Sequence, residues 1–344
     1  MTRLLAALGI LIVLGYLAAI KTLDFNSQNI QPQKKLSPLS YSAWIPTWDQ
    51  DKVLESLATS SAKLSYVSPV WYKLNPRQKI EEIKDSRKDQ IKALLTQKGV
   101  KIIPVIFNEF DGQRISDFLK DKQNYQIQIQ NLINLALEAG YQGYDLDFEE
   151  MNPDDRKSFT EFISDFAAKL HEKGLMLFVS VHAQSGTLSD RSATKAQDLK
   201  QIAKYADFIR VMIYDYHNIK TDPGPITPVK EYKQVLEYTA KIIPAEKLVV
   251  GLPFYGYQWN KFKNSPVEYQ TVQDIAKKTE AGFKRDEVSY EQVINFFENG
   301  IENVIWVEDS ESVLYKIKIA REYGIYQFVF WRLGGEDLSL WEKI

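Results

Sequence analysis

The chain contains no cysteine among its 344 residues, which excludes disulfides, thiolate metal sites and a cysteine nucleophile. Basic residues are not in excess either: 43 Lys and Arg stand against 45 Asp and Glu, so no nucleic-acid partner is expected. Histidine is scarce, and His171, His182 and His217 are scattered along the chain. A metal-dependent hydrolase usually groups several histidines around its ion, so this class is disfavoured, and we expect neither a metal nor another cofactor.

A glycine-rich phosphate loop is also missing. In a doubly wound open sheet such a loop follows the first strand, where this chain has the sequence IPTWDQD. From residue 41 onward, short apolar runs instead alternate with amphipathic stretches, a pattern that predicts an α/β fold of the (β/α)8 barrel type. The predicted strands are residues 41–44, 64–71, 100–108, 143–149, 175–181, 208–214, 248–253 and 326–331. The predicted helices are residues 77–97, 125–139, 153–173, 194–205, 230–242 and 310–323.

The spacing of these elements is uneven after the seventh predicted strand. Residues 264–307 lie between this strand and the last long helix, and a minimal barrel does not need them. We therefore expect a small insertion on the active-site face, within a barrel domain that spans residues 41–344.

The N-terminus carries an uncharged apolar run, residues 4–20, between Arg3 and Lys21. A membrane-spanning helix needs ~20 apolar residues and a cleavable signal only about 7–15. Small residues are poorly placed for cleavage, so residues 1–23 are predicted to form a membrane anchor, with a cleaved signal as the alternative. Residues 24–40 are polar, contain two prolines and are predicted to be a linker. We expect the barrel to work outside the cytoplasm, either anchored to the membrane or secreted.

The fourth predicted strand combines acidic and large apolar residues in strict alternation. Because side chains of a strand alternate between its faces, Asp145, Asp147 and Glu149 point to one side and the apolar residues between them to the other. Like charges this close cannot all ionise cheaply, so at least one carboxyl group is expected to keep a proton at neutral pH. A protonated carboxyl group at the C-terminal end of a barrel strand is suited to general acid catalysis.

The sequence QGYDLDFE at residues 142–149 resembles the DGxDxDxE signature of glycoside hydrolase family 18, the chitinase-like family. Three later sequences resemble further parts of that family: VMIYDYH at 211–217, GLPFYGYQW at 251–259 and FWRLGGED at 330–337. The sequence WVED at 306–309 is most similar to the bacterial branch that includes spore-cortex and cell-wall N-acetylglucosaminidases. Gln142 stands where the signature usually has Asp, and we expect a modest effect because this position is far from the chemistry.

The resemblance implies a retaining glycosidase in which the substrate supplies its own nucleophile. Glu149 would protonate the glycosidic oxygen, and the acetamido oxygen of the substrate would attack the anomeric carbon. Asp147 would hydrogen-bond the acetamido N–H, and the deeper Asp145 would tune Asp147 by sharing a proton with it. Tyr214 would donate its hydroxyl proton to the acetamido oxygen. The further substrate contacts implied by the resemblance are Asp215, Met212 and Trp331, with Trp331 as an apolar floor under the sugar.

Aromatic residues make up 12% of the chain, and sugar rings stack on aromatic faces, although core packing explains any single ring equally well. Further candidates for substrate contacts follow predicted strands: Trp71, Tyr72, Asn108, His182, His217, Tyr255, Tyr257 and Trp259. For Trp71 and Tyr72, core packing is the alternative. Of the three aromatic residues at 255, 257 and 259, we expect one to line the cleft, and we expect His171 to be solvated.

The resemblance leaves the polymer and the activity itself open. Chitin-like polymers and peptidoglycan both contain β-1,4-linked N-acetylglucosamine, and the expected membrane anchor favours peptidoglycan or a related envelope glycan. The alternative to an enzyme is a catalytically silent carbohydrate-binding barrel. Such proteins typically lose the acid, whereas this chain keeps Glu149 together with Asp147 and Tyr214.

Overall fold

A computed structural model of the protein describes residues 38–187 and 192–344. The predicted anchor at residues 1–23 and most of the predicted linker lie outside the described residues. Within the part of the chain that is described, no helix combines the length and the apolar character needed to cross a bilayer.

Strands and helices alternate through most of the described chain. The strands are β1 (Ser40–Ile45), β2 (Leu64–Pro69), β3 (Tyr72–Leu74), β4 (Ile80–Glu82), β5 (Lys101–Ile102), β6 (Val105–Phe107), β7 (Gly143–Asp147), β8 (Met176–His182), β9 (Phe208–Met212), β10 (Leu248–Pro253), β11 (Gly256–Asn260), β12 (Ser265–Val267), β13 (Phe283–Arg285), β14 (Gln292–Glu298), β15 (Ile301–Val307) and β16 (Gln327–Trp331). The α-helices are α1 (Gln50–Ser60), α2 (Lys88–Gln97), α3 (Gly112–Lys120), α4 (Lys122–Ala139), α5 (Arg156–His171), α6 (Leu199–Tyr205), α7 (Val229–Ile242), α8 (Tyr269–Thr279), α9 (Ser310–Glu322) and α10 (Leu340–Lys343).

Parallel strands close into a ring. β1 pairs with β2 on one side and with β16 on the other, and parallel pairs then continue from β16 through β10, β9, β8 and β7 to β6. Residues 101–107 close the ring, because β5 pairs with β2 while β6 pairs with β7. Pro104 lies between these two pieces and has no N–H to give to a ladder. The predicted barrel fold is therefore confirmed, with its third strand divided at a proline.

The outward face of β7 packs against the surrounding helices. Tyr144, Leu146 and Phe148 are fully buried on this face. Phe148 stacks on Phe162 of α5 with ring centroids 6.2 Å apart, and burying each such side chain contributes about 1.5–3 kcal/mol. Because a one-residue slip would turn these rings into the barrel, their burial fixes the acidic residues of β7 on the inner face.

The predicted helix at residues 77–97 is wrong in its first half. α2 begins at Lys88, and the residues before it form the hairpin of β3 and β4. The carboxamide oxygen of Asn75 accepts hydrogen bonds from the backbone N–H groups of Arg77 and Lys79, which stabilises a tight turn. Such side-chain-to-backbone bonds compete with helix formation. The helices α1, α3, α8 and α10 are present without having been predicted.

A second, antiparallel sheet follows β10 and begins at Gly256, before the predicted start of the insertion at residue 264. Its strand order is β12-β11-β15-β14-β13. A Cβ atom at Gly256 would lie 2.0 Å from the carbonyl oxygen of Trp306, so only glycine lets β11 approach β15 this closely. α8 covers the sheet through a small core that includes Val272 and Ile305. The insertion is thus an α+β layer with its own core, called the small sheet below.

Replacing Gly143, where β7 begins, by alanine should destabilise the fold strongly. The backbone there has φ 151°, and a Cβ atom would lie 1.9 Å from the carbonyl oxygen of Met176 on β8. Gly140→Ala is the matched control, since that position also has a positive φ, 72°, but an added Cβ meets nothing within 4 Å. In urea unfolding, Gly140→Ala should cost about 1 kcal/mol and Gly143→Ala about 3 kcal/mol or more. Equal losses would show that close approach to β8 is not what requires this glycine.

Candidate active site

Asp145 is the deepest member of the acidic row, which consists of Asp145, Asp147 and Glu149. Its side chain is fully buried, and donors from three other strands reach it. Trp44 Nε1 of β1 donates to Oδ2 at 2.8 Å, and Ser180 Oγ of β8 donates to Oδ1 at 2.8 Å. The guanidinium of Arg210 on β9 donates to Oδ2 at 2.5 Å. A full positive charge and two further donors hold Asp145 as a carboxylate.

Asp147 has a different environment from its neighbour in the row. Its Oδ1 atom is buried, and no donor among the described residues bonds to it. Burial raises the pKa of Asp147 well above the usual range of aspartate, the charges of Glu149 and Asp145 raise it further, and Arg210 opposes them with a smaller effect. The raised pKa favours the protonated form of Asp147, and the alternation in the sequence predicts a proton on at least one member of the row.

Glu149 follows β7, and one side chain forms hydrogen bonds with both its backbone N–H and its carbonyl oxygen. Asn108, at the end of the third barrel strand, donates from Nδ2 to the Glu149 carbonyl oxygen at 2.8 Å and accepts from the Glu149 N–H at 2.9 Å. The Glu149 side chain is 20% exposed, and its Oε2 atom lies 3.6 Å from Nε2 of His182 at the end of β8. Asn108 was predicted to contact substrate, but it is 1% exposed and positions the acid instead.

Tyr214 and Asp215 follow β9 beside the acidic row. Burial raises the pKa of Tyr214 well above its usual range, so the hydroxyl group stays protonated and can donate. Asp215 has φ 61°, and its Oδ1 atom accepts hydrogen bonds from the hydroxyl groups of Tyr255 and Tyr257, the latter at 2.8 Å. Of the three aromatic candidates after β10, two therefore hold Asp215 in place.

Aromatic rings line the ends of β1 and β16. The Trp331 ring meets those of Trp44 and Trp48 edge-on, with centroids 6.0 and 6.3 Å away. Trp48 is 50% exposed, and Met212 packs in the same apolar cluster as Trp44 and Trp331. An exposed indole beside a partly buried one gives the apolar surface on which the C–H face of a sugar ring can lie.

Three of the predicted substrate contacts lie in cores. Trp71 and Tyr72 are buried, and the Tyr72 ring meets Tyr144 on the outward face of β7 with centroids 6.1 Å apart. The structure thus favours the core-packing alternative for both. Trp259 is 3% exposed on the small sheet, and its Nε1 atom donates to the carbonyl oxygen of Thr221 at 3.0 Å, so it fixes the loop after β9.

The three histidines have separate surroundings. His182 is buried beside the acid Glu149, whereas Nδ1 of His217 lies 3.0 Å from the carbonyl oxygen of Asp222 within the loop after β9. His171 is partly exposed, and its Nε2 atom lies 2.9 Å from a carboxylate oxygen of Asp207. Within residues 38–187 and 192–344, no three His, Asp or Glu side chains are grouped so that they could hold a metal ion.

Arg210 is not among the predicted site residues, although the sequence carries a signal for it. It is the charged residue in the otherwise apolar strand sequence FIRVM of β9, and it is fully buried. Arginine is almost never fully buried without a partner, so an arginine in such a run indicates an acid nearby. Its register position beside Ser180 places it next to the donors of Asp145.

Gln142, the departure from the family signature, lies just before β7. Its Oε1 atom accepts from the backbone N–H of Ile102 at 2.7 Å, and its Nε2 atom donates to the carbonyl oxygen of Gly140 at 2.6 Å. Gln142 therefore stabilises the start of the strand, at the opposite end from Glu149.

A second buried charge cluster joins the small sheet to the loop after β9. Lys316 of α9 lies 3.0 Å from Glu291 and also pairs with Glu308, and all three side chains are fully buried. Glu291 in addition accepts hydrogen bonds from the backbone N–H groups of Ile226 and Thr227, at 2.8 and 3.0 Å. One lysine cannot neutralise two carboxylates, and burial raises the pKa of Glu308 to about 8. Glu308 is therefore the acid of this cluster that holds a proton.

A parallel barrel whose fourth strand ends in an open acid, above a half-buried and a fully buried carboxyl group and beside a tyrosine and tryptophans, has the construction of a glycoside hydrolase. Comparison with known proteins gives the family. The family model of the glycosyl hydrolases family 18 matches residues 39–336, and the chain belongs to this family. The protein is thus a glycosidase, as the resemblance in the sequence predicts.

Two bacterial relatives show how far the similarity extends. The uncharacterized glycosylase YvbX of Bacillus subtilis is 31% identical over 258 residues, which are 72% of this chain and 75% of YvbX. The cortical fragment-lytic enzyme of Bacillus anthracis is 26% identical over 232 residues, 65% of this chain. The match spans 54% of the length of that enzyme.

Solved structures share the fold. The spore cortex-lytic enzyme SleL of Bacillus cereus superposes with a TM-score of 0.83 at 21% identity, covering 90% of this chain and 74% of SleL. A chitinase from Chromobacterium violaceum superposes with a TM-score of 0.80 at 24% identity, covering 88% of this chain and 97% of the chitinase. The predicted similarity to the spore-cortex branch of the family is confirmed.

Replacing Asn108 by leucine should lower kcat by about 100-fold with little change in KM, because the Glu149 peptide loses both side-chain bonds and the acid shifts. Steady-state hydrolysis of an oligosaccharide substrate measures both constants. The control is Asn303→Leu in the small sheet, where a buried amide bonds Gln258 and Asn260. This control should reduce stability without the loss in kcat. A rise in KM alone for Asn108→Leu would instead assign Asn108 to substrate binding.

The Glu308→Gln variant should gain stability relative to the wild type as the pH rises from about 5 to about 8. The pKa of Glu308 is raised from 4.5 to about 8 on folding, so the folded state binds an extra proton in this range, and that stabilisation is lost as the pH rises. Glutamine imitates the protonated form at every pH. The difference in the free energy of unfolding should change by on the order of 2 kcal/mol.

Urea unfolding at both ends of the pH range measures this difference. Glu302→Gln, at an exposed position of β15, is the control for removing one negative charge from the same sheet. A difference between Glu308→Gln and wild type that stays constant with pH would contradict the assignment of the proton to Glu308.

Proposed function

We propose that the protein is a retaining glycosidase that cleaves β-1,4-linked N-acetylglucosamine polymers, with Glu149 as acid and base. The observation that carries this proposal is the buried Oδ1 atom of Asp147, an acceptor without a protein donor in the described residues, beside an open acid. A buried polar atom left unpaired costs about 1–3 kcal/mol, which favours a donor supplied by a ligand. The N–H of an acetamido group is such a donor.

In the proposed reaction, Glu149 protonates the glycosidic oxygen as the bond to the leaving sugar breaks. The carbonyl oxygen of the substrate's 2-acetamido group attacks the anomeric carbon and closes an oxazolinium ion, so the substrate supplies the nucleophile. Asp147 accepts the acetamido N–H, and Tyr214 donates its hydroxyl proton to the acetamido oxygen. Water then opens the ion while Glu149 takes its proton, and the anomeric configuration is retained.

The remaining contacts follow from the shape of the site. Trp331 is assigned to the floor under the sugar that reacts, and the exposed ring of Trp48 extends this apolar surface along the cleft. Asp215, held by the hydroxyl groups of Tyr255 and Tyr257, presents its carboxylate to sugar hydroxyl groups beside Tyr214.

Peptidoglycan is the preferred substrate in this proposal, and chitin-like polymers come second. The support comes from the relatives, whose names include a cortical fragment-lytic enzyme and a spore cortex-lytic enzyme as well as a chitinase. We further propose, from the apolar run at residues 4–20, that the barrel is anchored and acts outside the cytoplasm. Digestion of the barrel by protease added to cells stripped of their wall would support this location, and complete protection would overturn it.

Glu149→Gln should reduce hydrolysis of a β-1,4-linked N-acetylglucosamine oligomer by about 100-fold or more, because the leaving oxygen loses its proton donor. The anomer of the fresh product, read by NMR before mutarotation, should have the configuration of the substrate. Purified peptidoglycan serves as the second substrate. The matched control is Glu150→Gln, which removes the exposed neighbouring acid and should leave activity near that of the wild type.

An inverted product would contradict the role of the acetamido group. Binding of either substrate without cleavage would instead favour the alternative of a catalytically silent carbohydrate-binding barrel.

A further inference from the structure

Arg210 places a full positive charge inside the barrel, below the cleft. It is fully buried, and its guanidinium carbon lies 4.5 Å from the ring centroid of Phe178 and 5.4 Å from that of Trp44. Burial lowers the pKa of Arg210, but a guanidinium group stays protonated in proteins. One of its nitrogen atoms, Nη1, donates to Asp145 and to the hydroxyl oxygen of Ser68, both at 2.5 Å. The charge of Arg210 is thus directed at one member of the acidic row.

The hydrogen-bond donors around Asp145 disfavour a proton on its carboxyl group. Its Oδ2 atom accepts from Trp44 Nε1 and from Arg210 Nη1, groups that can only donate, so this oxygen has no room for a proton. Its Oδ1 atom accepts from the hydroxyl group of Ser180. A proton on Asp145 would neutralise one partner of a fully buried ion pair and leave the charge of Arg210 uncompensated, which is strongly unfavourable.

Asp147 stands next in the row and has titratable or charged groups around it from several strands. They are Asp145, Glu149, Arg210 and Tyr214, with Tyr66 beside Arg210 and His182 beside Glu149. The two acids on its own strand disfavour a further negative charge, and burial raises the pKa of Asp147 as well. Because Arg210 stabilises the ionised form of Asp145, the proton of the pair lies on Asp147.

We propose that Arg210 is a positioning residue that confines the proton of the Asp145–Asp147 pair to Asp147, so that the two residues do not share it. This inference rests on the proposed function, in which Asp147 receives the acetamido group. A neutral Asp147 offers its carbonyl oxygen to the acetamido N–H while its own proton is directed to Glu149. Arg210 itself does not reach the cleft, and it acts through Asp145.

Infrared difference spectroscopy of the full-length protein at neutral pH locates the proton without any substrate. The C=O band of a protonated carboxyl group should disappear in Asp147→Asn, where Asp145 stays paired with Arg210, while buried acids elsewhere cancel in the difference from wild type. In Arg210→Met a second such band should appear, because Asp145 then takes a proton, and the further change Asp145→Asn should remove it. A band that persists in Asp147→Asn, which would place the proton on Asp145, or no band that depends on Asp147, would overturn the proposal.

The pH dependence of kcat/KM gives a second readout. Loss of the buried positive charge raises the pKa values of the carboxyl groups around it, so the profile of Arg210→Met should move to higher pH by about one to two units. Arg210→Lys keeps the charge, so its profile should lie close to that of the wild type. The control Lys316→Met removes an equally buried cation behind the cleft and should lower stability without moving the profile. An unmoved profile in Arg210→Met would make Arg210 a structural residue alone.

The two proposals fail separately, because the infrared bands require no turnover. The expected bands in a protein that hydrolyses neither substrate would overturn the proposed function and support the position of the proton. Hydrolysis with retained configuration but without a band that depends on Asp147 would support the function and overturn the role of Arg210.

Discussion

The ion pair of Asp145 and Arg210 is the interaction on which the rest of the barrel depends. Three acids follow one another along the inner face of β7, where burial and mutual repulsion oppose folding. One guanidinium from β9, itself enclosed by aromatic rings, compensates the deepest acid and links two strands through the barrel interior. The other two acids can then differ: Asp147, whose Oδ1 atom is buried, favours its neutral form, and Glu149 lies at the open end of the row. A glycosidase needs this difference between neighbouring carboxyl groups.

A second buried charge cluster, formed by Lys316, Glu291 and Glu308, joins the small sheet to the loop after β9. Lys316 contacts Glu291 and the protonated Glu308, and Glu291 also binds the backbone of the loop after β9. That loop begins with Tyr214 and Asp215, so the small sheet holds in place two residues assigned to the substrate. Charged groups serve here because apolar side chains would leave the buried N–H groups of this loop without acceptors.

The barrel strands could be predicted because short apolar runs alternate with amphipathic stretches along the chain. The acidic row could be predicted because acids alternate strictly with large apolar residues in the fourth strand. The hairpin before α2 could not, since it depends on Asn75 bonding its own turn, and hydrophobic periodicity carries no sign of that bond. The clamp on Glu149 joins residues 41 apart in sequence, and Arg210 meets its acid across 65 residues. A charge in an apolar strand marks a buried pair, but a pattern along one strand does not identify the partner.

The small sheet leaves and rejoins the barrel at adjacent points, because the N–H of Glu308 donates to the carbonyl oxygen of Tyr255 at 3.3 Å. Such a segment could be exchanged between related barrels as a cassette without changing the order of the barrel strands. The Lys316 cluster limits this freedom, since Glu291 belongs to the cassette whereas the lysine belongs to helix α9. A graft that brings Glu291 without Lys316 would bury an uncompensated charge, so the small sheet and helix α9 have to be exchanged together.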